Sequence, residues 1–193
     1  SELTALRAGG RPLILAVVFG GAIGPALLVA GLERIPAATA SLLLNFELVA
    51  TVVLAATLFR EHLGARLLAA AALVCAAGVI LVWQPGIAFD TGGLFVIGAC
   101  ACWGLDNAVT SKIDQLSPEE ITLSKGVIAG GANLILGLIL ASSLDLRAAE
   151  VLAALVVGAF GYGASITLWV KGARDLGAAR GQVIFAAAPF IGA

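Results

Sequence analysis

Between Pro36 and Phe59 a single formal charge, Glu47, stands in an otherwise uncharged run, with Asn45 two residues before it. A carboxylate at mid-run can bind a substrate amine or hold a proton; the plain alternative is a carboxyl hydrogen-bonded between helices. Asn45, on another face of the same helix, suits a helix-to-helix hydrogen bond. Asp106 and Lys125 form a second pair. Each would stand about one and a half turns from the same end of its span, on consecutive spans joined by a short loop. Opposite charges at one depth in an apolar medium neutralise each other, which predicts a salt bridge. Its role is either a structural brace or a gate or proton relay. Tyr162 and Gln182 fall inside later apolar runs and can line a cavity; packing for the tyrosine and a bond to neighbouring backbone for the glutamine are the alternatives.

Other chemistry is not signalled. No His/Glu metal cluster, phosphate loop or nucleophile motif is present, so no cofactor or metal is expected and an enzyme is a secondary reading. His62 sits in the charged cluster Arg60-Glu61-His62 and is expected to be solvated. Cys75, Cys100 and Cys102 lie in apolar runs. The latter two point about 200° apart on a helix, so all three read as small buried thiols.

The elements that must position these residues are membrane spans. The 193 residues are 61% hydrophobic and 12% charged, against about 25% charged in soluble domains. The charges cluster between long apolar runs. At about 1.5 Å per residue, Pro36 to Phe59 can cross a hydrocarbon layer of roughly 30 Å. Net charge is −1, which gives no basic surface for nucleic acid. We expect an all-α membrane protein with seven spans: about Pro12–Gly31, Pro36–Phe59, Ala65–Trp83, Gly92–Lys112, Pro118–Ala141, Val151–Val170, and one beginning near Gly177. Gly20 and Gly24 in the first span form a small-xxx-small face for close helix approach, and Pro25 predicts a kink. Gly126 and Gly130 repeat the spacing in the fifth. Trp83 suits an interface, Gln84-Pro85-Gly86 breaks the chain, and Trp103 and Trp169 read as packing or belt residues. Ser117-Pro118-Glu119-Glu120 is a capping box with Pro in the first turn. Residues 142–150 and the basic stretch Lys171–Arg180 read as loops.

With that topology Arg7, Arg11, Arg60, Arg66, Lys112, Lys171, Arg174 and Arg180 fall on one side, and only Arg34 and Arg147 on the other. The excess places loops 60–66, 112–118 and 171–177 in the cytoplasm of a plasma (bacterial inner) membrane protein.

Residues 17–52 also align without a gap on 158–193, an offset of 141. Phe19 meets Phe160, Gly20 meets Gly161, Leu27 meets Leu168, Gly31 meets Gly172, and Ala37-Ala38 meets Ala178-Ala179. Gly24 meets Ser165, so Gly161 and Ser165 read as a second packing pair. The offset is five spans, an odd number, so the copies cross in opposite directions. Inverted five-helix repeats are an alternating-access architecture.

These residues resemble the EamA-type permeases of the drug/metabolite transporter superfamily. GLERIPAATASLLLNFELV followed by LFREHLGARLLAAAALVCAAGVILV is similar to that family's first repeat, and CWGLDNAVTSKI, LSKGVIAGG and GARDLGAARGQVIFAAAPFIGA to its second. The resemblance implies ten spans with both termini cytoplasmic. It divides this chain at 1–86 (end of repeat one) and 87–193 (repeat two). The seven spans would be the third to ninth, in keeping with a chain that has no Met and is cut at both ends. It also implies a cavity lined by the first, second, sixth and seventh spans here, in a transporter of small metabolites such as amino acids or drugs, often outward. The partners would be the bilayer and a small-molecule substrate, with proton coupling open. A non-transporting scaffold or an intramembrane enzyme is the alternative. Leu48 departs from the family, many of whose members carry Pro there, and predicts a straighter second span; Pro189, its repeat mate, keeps the Pro.

Overall fold

A computed structural model describes residues 10–82, 91–141 and 147–185. Arg7, Trp83 to Gly86, residues 142–146 and Pro189 lie outside the described residues. Seven helices follow in order among those described: α1 Gly10–Leu32, α2 Ala37–Phe59, α3 Ala65–Val82, α4 Thr91–Thr110, α5 Pro118–Leu140, α6 Ala148–Leu176 and α7 Ala178–Phe185. All but α3 and α7 are long and apolar enough, as described, to cross a membrane. The protein is a multi-span helical membrane bundle.

Helix α4 is the axis of the packing. Its residues Val96, Ala99, Cys100 and Ala108 are buried, and α1 and α2 lie against it. Gly20 and Gly24 let α1 approach. A Cβ on Gly20 would collide with the Asp106 side chain, and one on Gly24 would fall 2.9 Å from Trp103 Nε1. Gly31 meets Val96 further along, so α1 and α4 are antiparallel. Gly21 is closed by Ala129 of α5. The first small-residue face therefore serves two partners. Its repeat mate does not: Gly161 is exposed, and a Cβ there would meet only Val157 of its own turn, at 3.6 Å. No described helix lies on that side of α6, so Gly161 is not a packing position among the described residues, and Ser165 lines an open groove between α6 and α7.

The expected Pro25 kink takes a particular form. Residues Ala16–Ile23 are π-helical, with Gly24 N donating to Phe19 O five residues back. Pro25 has no N–H, so Gly20 O and Gly21 O, its π and α acceptors, lose their donor. Trp103 Nε1 donates to Gly20 O at 2.8 Å and Asn133 Nδ2 to Gly21 O at 2.7 Å. Trp103 is thus an interior donor rather than a belt residue. Helix α6 carries the same feature at Val157–Ala164. The two π segments are offset by 141 residues, as are the starts of α2 and α7.

Two boundaries differ from expectation. Helix α6 continues to Leu176, so Lys171 and Arg174 are helical; the helix stops only at Gly177, whose φ of +90° a residue with a Cβ adopts at a cost. Helix α2 is interrupted at Leu44–Asn45 although Leu48 is not Pro. There the bonds tighten to three-residue spacing, Glu47 N to Leu44 O and Leu48 N to Asn45 O. Asn45 Nδ2 donates to Leu42 O at 3.1 Å, in its own helix, not across to another. Such a local bond competes with regular helix.

Directions follow from the contacts. Leu13 near the start of α1 packs with Ile121 near the start of α5 and Val170 near the end of α6. Asn133, further along α5, reaches Gly21, further along α1, so these two are parallel. Thr167 of α6 donates to Thr122 of α5 at 3.0 Å, making α5 and α6 antiparallel. Helices α1 and α6 therefore run in opposite directions.

Candidate functional site

Successive residues of a helix point about 100° apart, and at Asp106–Asn107 the axis helix uses this to serve two polar clusters. Asn107 faces α2 and α7. Its Nδ2 lies 2.8 Å from Glu47 Oε1, 3.1 Å from Gln182 Oε1 and 3.2 Å from Thr51 Oγ1. An amide nitrogen has two hydrogens, so three acceptors share them. Thr51 and Gln182 are buried and Glu47 is partly so. Among the described residues no cation pairs with Glu47. Its place follows from the α2 interruption, which puts it in the first turn of the second helical segment, Phe46–Phe59, where the helix dipole favours an acid. The carbonyls at the break are covered by Cys100 Sγ, 3.5 Å from Leu43 O.

Asp106 faces α1 and α5. Lys125 Nζ is 2.6 Å from Asp106 Oδ1, and Thr110 Oγ1 donates to the same oxygen at 2.8 Å. Lys125 is 3% exposed. The ion pair expected from equal depth is formed, and Gly20 supplies the room for it.

Of the expected site residues, the structure brings Glu47 and Gln182 together through Asn107. Asn45, two residues before Glu47, bonds to its own helix. Tyr162 is 43% exposed on the π segment of α6 and lies outside that cluster. No role is given to Asn107, Asn133 or Thr51 in the sequence analysis. The signals were there in part: a polar residue directly after Asp106, and an amide four residues after Ala129 on the face that meets α1.

A third cluster joins the connections at one end of the bundle. Helix α2 ends on Arg60, which is left-handed at φ 52°, and the chain turns Glu61 inward. Lys112 Nζ lies 2.9 Å from Glu61 Oε1, a charge contact without hydrogen-bond geometry, while Ala179 N at the start of α7 donates to Oε2 at 3.5 Å. Arg174 donates to the carbonyls of Ile113 and Leu116. The α2–α3, α4–α5 and α6–α7 connections are thereby tied to one another. His62 beside them is exposed.

The EamA-like transporter family profile matches residues 4–84 and 90–193. A protein of Methanothermobacter thermautotrophicus named as an uncharacterized transporter is 29% identical over 189 residues, which is 94% of this chain and 55% of that protein. The chain thus spans about half the length of this curated relative. No solved structure matches significantly. With a match over nearly its whole length, on an apolar bundle of this kind, the chain belongs to the EamA-like transporter family of the drug/metabolite transporter superfamily.

Proposed function

We propose that the chain is the central part of a secondary transporter of the plasma (bacterial inner) membrane. It moves a small metabolite, an amino acid or drug-like compound, by alternating access, with Glu47 at the substrate or proton site. The observation that carries this reading is a carboxylate within an apolar span, with no cation paired to it among the described residues, held by an amide from α4 where α2 is interrupted and α7 meets it. Intramembrane acids of this kind mark substrate and proton routes. The opposite directions of α1 and α6, with matching π segments, support a rocking of two related halves. Residues 60–66 and 112–118 and the last turns of α6 up to Gly177 carry the excess of Lys and Arg and would face the cytoplasm. The Glu61 and Arg174 ties join the connections on that face, which supports a conformation closed towards the cytoplasm.

The test is flux in proteoliposomes of the full-length protein against a metabolite panel, with and without a proton gradient. Glu47→Gln, which keeps size and removes charge, should abolish flux or uncouple it from the gradient. Unchanged, still coupled flux would remove Glu47 from the mechanism.

A further inference from the structure

A groove of about 730 Å³ runs between the start of α3 and the α6–α7 junction, away from both polar clusters. Its mouth carries two guanidinium groups, Arg66 from the first turn of α3 and Arg180 from the first turn of α7. Both are exposed, and no acid lines the groove. Of the acidic side chains nearby in sequence, Glu61 is engaged with Lys112 and the start of α7, and Asp175, one residue before Leu176, is exposed and outside the lining. Neither arginine helps its own helix, because the dipole is positive at a helix start. Two guanidinium groups thus share one groove; Glu61 answers the positive start of α7 but forms no ion pair with either arginine among the described residues. Beyond them the walls are Leu67, Leu176, Val183 and Ile184, apolar side chains on helices of a membrane bundle. We propose that this groove binds an anionic phospholipid: the phosphodiester between Arg66 and Arg180, and an acyl chain along the apolar wall. A basic end opening onto a lipid-facing apolar trough matches an amphiphile with its charge at the bilayer surface. A soluble phosphate would use the arginines and leave the trough unfilled.

Native mass spectrometry of the full-length protein with equal phosphatidylglycerol and phosphatidylcholine tests this. The unaltered protein should retain phosphatidylglycerol at least fivefold over phosphatidylcholine. Arg66→Gln with Arg180→Gln should remove most of that preference, while Arg34→Gln, in the α1–α2 turn, should keep it. Ile184→Trp, which fills the trough without altering charge, should also reduce retention, and it decides the matter if the arginine variant does not fold. Millimolar glycerol phosphate, a headgroup without chains, should not displace the lipid. Retention that survives both the double arginine substitution and Ile184→Trp overturns the proposal. So does displacement by glycerol phosphate, which would make the site one for a free anion.

Discussion

Asn107 and Asp106 divide the chemistry of the bundle between them. Asn107 leaves Glu47 with a neutral donor, so its carboxylate keeps capacity for a substrate group or a proton. Asp106 is paired with Lys125 and bonded by Thr110, both through Oδ1. The two acids should therefore respond differently to substitution. Lys125→Met strands Asp106 in a buried site and should cost about 3–5 kcal/mol, read as lowered thermal stability of the purified protein. Removing both charges, Asp106→Asn with Lys125→Met, should recover much of the loss, because the penalty comes from an uncompensated charge. Exchanging them, Asp106→Lys with Lys125→Asp, is the harsher test of contact, since Gly20 presses on the residue at 106. If the neutral pair is as unstable as Lys125→Met alone, the ion pair is not what holds these helices. Glu47→Gln should leave stability nearly unchanged, because the amide can still bond Asn107, while transport is lost.

At the scale of the element, one proline organises α1. Pro25 frees Gly20 O and Gly21 O, and α4 and α5 each send one donor to them. An unsatisfied buried carbonyl costs about 1–3 kcal/mol, so Asn133→Leu should destabilise by about that much. In a Pro25→Ala background the helix can close on its own carbonyls, and the same substitution should cost less. A double-mutant cycle measures this directly. Equal costs in both backgrounds would mean that Asn133 acts elsewhere. The capping box that opens α5 was readable from Ser117 and Glu120 alone, and both of its bonds form, at 2.7 and 3.1 Å. The end of α6 was not: Lys171 and Arg174 looked like loop because they are charged, yet the helix carries them past the apolar stretch to Gly177.

For the whole molecule, the ties around Glu61 join connections that are far apart in sequence, and a bundle that alternates must release them. Glu61→Gln weakens the charge contact with Lys112, a partly exposed pair worth about 1 kcal/mol or less. That corresponds to a rise of roughly two- to fivefold in the population open on that face. The check is labelling of a cysteine at Thr51, with Cys75, Cys100 and Cys102 replaced by Ser, using an impermeant thiol reagent added from the loop side. Faster labelling in Glu61→Gln is expected. An unchanged rate would mean that Glu61 braces the fold without gating it.

The order of the helices, the pairing of Asp106 with Lys125 and the offset of 141 were all legible in the chain. Each is set by local hydropathy, by spacing along a helix, or by repetition, and none needs a partner to be known. What only the tertiary structure decided is which donors meet which acceptors across helices. Asn107 became the centre of the site because α2 is interrupted beside it and α7 crosses there, and Gly161 lost the role of its repeat mate because no described helix closes on it. Helix-to-helix register depends on side chains tens of residues apart filling one another's space, and hydrophobic periodicity carries no record of that.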